Sequence, residues 1–421
     1  MWSVDNMIRV FGACLALGLI AAVQVRADPD AVKIGSPLPP WIPGTLEIHQ
    51  IATGRGNSAL IIGPDGTSIM IDAGAADGGP DVSCPPRPNG SRRPGEWIAR
   101  YAVRHLRATG RVELDYFVAT HLHPDHIGEI GPTTPRGKTG DYVLTGITDV
   151  AELIPIHDVI DRGFPDYTYP SRWPAGFALN YFSYIASRQK AGAICERVRV
   201  GATDQIRLLR APKKFSSFIV RAIAANGTVW TGRGTDVQSA VPPLRDLPQS
   251  EYPDENMCSI ALHLSYGKFD YFTGGDLHCD THEGLQPWRD VETPAARATG
   301  PVEVAVADHH AYFDAVGSDA ARALKPLVWV VPAWHITHLN IAQLERMLSD
   351  RLYPGPRDIF VTDLMPATAL VDQRFISKVK STSGHIVIRV SPGGNDFRVF
   401  ITDNADELDT VKASFGPYPC R

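Results

Sequence analysis

Cysteine is scarce in this chain: six among 421 residues, and one of them, Cys14, lies inside an N-terminal apolar run. The other five (Cys84, Cys195, Cys258, Cys279 and Cys420) are an odd number, at spacings that fit no zinc-finger pattern. A disulfide-built scaffold and a cysteine-held structural zinc are therefore excluded as the basis of the fold, although one or two bridges would be compatible with export. Positive charge is not in excess. Lys and Arg number 41 against 46 Asp and Glu, a formal net charge of −5, so no global field draws in a polyanion. The one basic stretch, Arg188 to Arg221, reads first as a solvated face. Long hydrophobic runs are confined to Val10–Val23, shorter than the roughly 20 residues a membrane span needs. No nucleic-acid-binding motif is present, which weakens a sequence-reading role.

What is there, at 44% hydrophobic and 21% charged residues, is the composition of a globular protein with a sizeable core. Residues 1–27 read as a signal peptide. Arg9 precedes the apolar run, Val25-Arg26-Ala27 offers the small residues a signal peptidase reads, and Asp28-Pro29 follows. The expectation is an exported, periplasmic or secreted protein with no stable membrane span after cleavage. Residues 28–44, rich in proline, form a linker; 45–403 form one large domain carrying a long insertion at about 129–254; 404–421 form a C-terminal tail.

Within the domain, Leu46–Ile51 alternates as a half-buried strand, and Ser58–Ile62 and Ser68–Asp72 flank the turn Gly63-Pro-Asp-Gly66. Glu96–Arg107 is an amphipathic helix stopped by Gly110. Further strands are expected at Leu114–Thr120, Asp204–Leu209, Phe218–Ile223, Cys258–Tyr266, Phe269–Thr273, Val302–Ala307, Leu327–Val331, Asp358–Thr362, His385–Val390 and Phe397–Ile401. Thr228–Pro253 reads as a loop.

The densest chemical signal is His121-Leu-His123-Pro-Asp125-His126, launched from the end of an apolar strand. Ordinary core packing does not call for three imidazoles and a carboxylate in six residues. These groups are the usual N and O donors for zinc-like ions. A His-x-His spacing sends two side chains the same way from an extended backbone, and Pro124 lets the chain turn before Asp125 and His126. Other strands also end in ligand-type residues: Asp72, Asp276, His309/His310 and His338. Strand carboxyl ends are where α/β sheets place chemistry.

The pattern Thr120 to Gly128, with Ile71-Asp-Ala-Gly74 upstream, resembles the signature of the metallo-β-lactamase superfamily. More narrowly, the chain resembles the metallo-hydrolase domain of bacterial competence (DNA-uptake) channel proteins and its exported relatives. The stretches that carry this include Asn57–Gly74, Ala191–Leu208, Asn256–Gly267, Thr273–Asp276 and Val304–His310. The resemblance implies an α/β fold, a four-layer αβ/βα sandwich, and a binuclear metal-dependent hydrolase in which water shared by two divalent cations is activated. It implies that His121 and His123 hold one ion and Asp125 and His126 the other, with Asp276 bridging. One of the His309/His310 pair, with His309 favoured, would complete the second ion's shell. By the same analogy Asp125 also orients the nucleophile, and His338 stabilises or protonates the leaving oxygen. Asp72 is an orienter rather than a ligand. Zinc is the default metal, with manganese and iron compatible. The implied substrate is a phosphodiester or a small molecule, nucleic acid being weakly supported. A lactone or β-lactam hydrolase with a pocket lined by Tyr167, Tyr169, Trp173 and Tyr312 is the alternative, and a non-catalytic binding protein the next. The chain departs from its relatives at Ala311-Tyr312, where they carry Gly-Ser, and at Leu339, where they carry proline. No clear further histidine for the first ion stands between His126 and Asp276. His157 and His263 read as packed residues, and His278 and His282 as surface ones.

Overall fold

Alternation along the strands sorts the apolar side chains into three separate layers. The computed structural model describes residues 32–421; the signal-peptide reading of residues 1–27 lies outside them. The strands are β1 Leu46–Gln50, β2 Ala59–Ile62, β3 Ser68–Ile71, β4 Leu114–Ala119, β5 Ile156–Asp161 and β6 Ile194–Arg197. There follow β7 Phe218–Ala225, β8 Thr228–Trp230, β9 Val237–Ser239, β10 Ala261–Tyr266, β11 Phe269–Thr273, β12 Val304–Val306, β13 Val328–Val331 and β14 Asp358–Val361. The last three are β15 His385–Val390, β16 Asp396–Thr402 and β17 Val411–Pro419. One nine-stranded sheet runs β17-β16-β15-β1-β2-β3-β4-β5-β6, and one eight-stranded sheet runs β14-β13-β12-β11-β10-β7-β8-β9. Each is mixed: β3 to β6 are parallel neighbours in the first, and β11 to β14 in the second.

Odd and even positions then decide the layers. Ile69, Ile71, Tyr116 and Val118 of the first sheet face Val304, Val306, Val328 and Val330 of the second in the central core. Met70 and Phe117 point the other way, under helices α1 Pro94–Leu106 and, further along, α4 Gly176–Lys190. Ala305 and Trp329 point outward from the second sheet, under α5 Glu292–Thr299, α6 Ser318–Leu324 and α7 Ile341–Met347. (The numbers α2 and α3 belong to Pro124–Ile127 and Ile147–Leu153.) Helix, sheet, sheet, helix is the four-layer αβ/βα sandwich expected from the sequence.

Several local expectations are corrected. Asp204–Leu209 forms no strand: Ile206 and Leu208 do bury alternately in the central core, but no neighbouring strand pairs with them. Thr228–Pro253 carries the short strands β8 and β9. The segment taken as an insertion, 129–254, supplies strands to both sheets and the 15-residue α4. The segment read as a tail, 404–421, supplies the edge strand β17. No bridge forms: all five cysteines among the described residues are free. No described helix is long and apolar enough to cross a membrane.

β1 is buried on both faces, not half-buried. Its outward side chains, Glu47 and His49, lie beneath α1, where burial of charge demands pairing. His49 Nε2 meets Glu47 at 3.0 Å, His49 Nδ1 meets the Tyr101 hydroxyl at 3.0 Å, and Arg389 donates to Glu47 at 2.7 Å. Burial, then the neighbouring His105, pushes His49 down to about 4, and burial pushes His385 down to about 3. Both rings thus stay neutral in the fold while an unfolded imidazole titrates near about 6.5. A folded pKa below the unfolded one gives stability that is complete above about pH 6.5 and is lost as pH falls toward 4. His49→Gln removes one such group. Its stability, followed by denaturant melts between pH 6.5 and 4, is expected to fall less steeply than that of the wild type, by about 1.4 kcal/mol per pH unit. Parallel slopes for the two proteins would contradict this.

Candidate metal centre

Because β3 and β4 are parallel, as are β11, β12 and β13, their carboxyl ends lie along one edge of the sandwich. Asp72 follows β3, Thr120 and His121 follow β4, Gly274-Gly275-Asp276 follow β11, His309 and His310 follow β12, and His335 and His338 follow β13. After β4 the chain stays extended at His123 and enters α2 through Pro124 at its first position, a conformation proline favours. That single turn brings Asp125 and His126 back toward the strand ends. The Ala73-Gly74 bend is needed for the same reason: a Cβ on Gly74 would stand 2.0 Å from the Asp125 carbonyl oxygen.

Two groups of ligating atoms result, each gathered within 4.8 Å: Asp125, His126, Asp276 and His310, and His121, His123 and Asp276. Asp276 belongs to both and is 2% exposed. Its Oδ1 is 3.1 Å from His126 Nε2 and 3.7 Å from His310 Nε2; its Oδ2 is 3.6 Å from His121 Nε2. On the other flank His310 Nε2 lies 3.0 Å from Asp125 Oδ2. Yet Nε2 of His126 and of His310 are buried and make no hydrogen bond. Nitrogens and carboxylate oxygens are thus close without pointing at each other. That is how donors aimed at a common centre stand, and the N/O donor set suits a divalent cation.

Of the residues expected from sequence, the structure gathers His121, His123, Asp125, His126 and Asp276. At the His-His pair the expectation is corrected: His310, not His309, joins Asp125 and His126. The cause is the backbone. His309 and His310 both take left-handed conformations (φ 45° and 55°), so the ring reaching Asp125 is one residue later than an extended continuation of β12 would provide. His338 is buried and stacks on His310, 4.5 Å between ring centroids at 10°. Asp72 stands behind His126: its Oδ2 accepts from His126 Nδ1 (2.7 Å), Thr120 Oγ1 (2.8 Å) and Asn57 Nδ2 (2.9 Å). His157, read as packed, is instead exposed beside Glu113, and His263 bonds Asp270. His282 is exposed, but His278 is buried at 4% and pairs with Asp254, a correction to its surface reading.

Electrostatics follows from this packing. Burial opposes charge on His126, but Asp276, Asp72 and Asp125 together outweigh it and hold the imidazole well above its ordinary range. For His121 burial wins, with His126 adding repulsion, and the ring is held well below it. Burial raises Asp276, but His126, His310, His121 and His309 outweigh it, keeping the carboxylate well below its usual range.

Residues that sequence reading did not single out support the loop. Glu255 Oε1 accepts from the Leu122 amide, between the two histidines, at 2.8 Å, and from Arg162 Nε at 2.6 Å. Arg162 is 2% exposed, so this ion pair is internal. Nothing local in the sequence connects Arg162, Glu255 and Leu122, which lie far apart in the chain. Beside His123 opens a cavity of about 300 Å³, walled by Arg172, Trp173, Pro253, Glu255 and Asn256 among others. Trp173 packs edge-on to His123 at 5.0 Å. Tyr167, expected in a pocket, is instead buried with its hydroxyl on Asp161.

No family model matches the chain, and no curated protein matches it. Among solved structures it is similar to a proposed metal-dependent hydrolase from Parabacteroides distasonis ATCC 8503, at 14% identity and TM-score 0.35, over 76% of this chain and 94% of that one. It is also similar to a mutant CmlA β-hydroxylase, at 12% identity and TM-score 0.38, over 83% and 54%. A diphosphatase of the PhnP family matches at 10% identity and TM-score 0.31, over 82% and 98%. At these TM-scores the functional reading rests on the site itself.

Asp72→Ala frees His126 Nδ1 and the Thr120 hydroxyl. It is expected to weaken divalent-cation binding about 10–100-fold, read by competition with a chromophoric chelator. Unchanged affinity would remove the orienting role.

Proposed function

We propose that this chain is an exported, binuclear metal-dependent hydrolase of the metallo-β-lactamase type, acting on a phosphodiester, and that it is kin to the hydrolase domain of competence channel proteins. The observation that carries the reading is the pair of donor groups meeting at Asp276, with buried imidazole nitrogens left unpartnered. Asp125, His126 and His310 would hold one cation, His121 and His123 the other, and Asp276 would bridge. Bound there, a pair of divalent cations, zinc by default, supplies an acidified water and charge stabilisation for the displaced oxygen.

The chain's own groups supply orientation and a hydrogen-bond donor. Asp72 fixes which nitrogen of His126 faces inward, and Glu255 with Arg162 fixes the His121–His123 segment. His338 would stabilise the leaving oxygen by donating a hydrogen bond to it from Nε2. The Trp334 amide points at its Nδ1 (3.4 Å), and burial, followed by repulsion from His310, keeps the ring neutral, so its proton resides on Nε2. Asp125, besides holding a cation, orients the nucleophile.

The substrate class is inferred from the cavity beside His123. Its acids are already committed, Asp254 to Arg289 and His278, and Glu255 to Arg162. Arg172 is exposed and has no partner among the described residues, leaving one uncompensated positive charge beside the flat Trp173 ring. That combination suits an anionic ester with a planar substituent better than a neutral lactone. The basic stretch of the sequence adds little, since Arg197, Arg199 and Arg210 are paired with Asp166, Asp204 and Asp115.

Bis-p-nitrophenyl phosphate, a lactone and a cephalosporin assayed side by side are expected to show turnover of the phosphodiester alone, lost almost entirely in Asp276→Ala. Arg172→Ala is expected to raise KM for the phosphodiester about tenfold, roughly 1.4 kcal/mol of binding, with kcat little changed. Preferential lactone or cephalosporin turnover would overturn the substrate class, and an Asp276→Ala protein as active as wild type would overturn the mechanism.

A further inference from the structure

We propose that the adjacent histidines serve different cations: His310 the Asp125–His126 position, and His309 the His121–His123 position, as its third imidazole. This rests on the reading of the site as binuclear and assigns the ligand that the first position otherwise lacks.

Asp276 is the reference. Its Oδ1 faces His126 and His310, while its Oδ2 faces His121 Nε2 at 3.6 Å and His309 Nε2 at 3.8 Å. The two oxygens of one carboxylate thus sort four imidazoles into two pairs, and the neighbours His309 and His310 fall on opposite sides. The second position gathers four donors within 4.8 Å of one another (Asp125, His126, His310 and Asp276) and the first position three (His121, His123 and Asp276); His309, outside that group but 3.8 Å from Asp276 Oδ2, would be its fourth. Four is the number a tetrahedral zinc site takes.

The outer nitrogen of His309 bears the same mark as those of its neighbours. A metal-ligating imidazole usually gives its other N–H to a carboxylate or a carbonyl, which fixes the ring and its tautomer. His126 Nδ1 meets Asp72 at 2.7 Å, His310 Nδ1 meets the Pro332 carbonyl at 2.8 Å, and His309 Nδ1 meets Asp314 Oδ1 at 2.7 Å. In all three the Nε2 atom is left facing Asp276. The near partner of His309 Nε2 is the side-chain nitrogen of Asn256, at 3.3 Å, a donor that leaves the ring nitrogen as acceptor.

The backbone supplies an independent sign. His309, His310 and Ala311 take φ of 45°, 55° and 59° in succession. Left-handed conformations are unfavourable for a non-glycine residue, so three in succession must be held by their surroundings. The His309 amide donates to the Gly275 carbonyl at 3.0 Å, tying this turn to the residue before Asp276. The turn brings two consecutive side chains onto the same carboxylate, and Ala311 keeps the left-handed geometry where the resembling proteins carry glycine.

The test is cation stoichiometry, measured by elemental analysis after chelator treatment, zinc reloading and equilibrium dialysis. Asparagine replaces each histidine, because it tolerates left-handed backbone. Wild type is expected to hold two zinc ions, and His309→Asn and His310→Asn one each. His121→Asn/His309→Asn is expected to retain one, because both changes strike the same position, whereas His126→Asn/His309→Asn retains none. Asp314→Asn should weaken one of the two bound ions about 10–100-fold and spare the other. Far-UV circular dichroism of the metal-free variants checks that each is folded. His309→Asn holding two ions at wild-type affinity would overturn the assignment alone, as would His126→Asn/His309→Asn holding one. A wild type that takes up no zinc would overturn the binuclear reading, and this inference with it.

Discussion

A carboxylate taken out of water must find compensating positive charge or lose its own. Asp276 is buried at the one edge where both sheets end, and four imidazoles face its two oxygens. Everything around it serves that meeting. The parallel strands β3 and β4 bring Asp72 and the histidine run from one sheet, and β11 and β12 bring Asp276 and the His-His pair from the other. The central apolar core holds the sheets face to face, so a side chain from one can sit within ligating distance of a side chain from the other.

Support for this centre extends outward in layers of hydrogen bonds. Asp72, Asp314 and the Pro332 carbonyl each fix one ring from behind, and the internal Arg162–Glu255 pair holds the Leu122 amide from the side of the α4 region. The same segment of chain, entering through Arg162 and running past Trp173, provides one wall of the cavity beside His123. Positioning of the candidate donors and shaping of the cavity beside His123 are therefore carried by one connected piece of structure.

Much of this was legible in the sequence because its cause is local. His121 to His126 announce themselves by density, and the largely apolar runs of β4, β12 and β13 mark them as buried strands. What was not legible has non-local causes. Which of His309 and His310 reaches Asp125 depends on three left-handed residues that no hydropathy pattern encodes. Glu47 and His49 look like the wet face of β1 but lie beneath α1, Glu47 paired with Arg389 and His49 hydrogen-bonded to Tyr101. Ile206 and Leu208 alternate as a strand would, yet they plug the core from an unpaired segment. Helix α4 was hidden behind an aromatic and proline-rich approach, and β17 behind the turn-like Asn404–Leu408, whose pairing partner β16 fixes it as a strand.

The central claim is that Asp276 stands between two cations, and anomalous diffraction from zinc-loaded crystals tests it most directly. The account predicts two zinc peaks about 3.5–4 Å apart on either side of the Asp276 carboxylate. One peak or none at this carboxylate, with His121 and His126 bound only to each other's neighbours or to water, would contradict it.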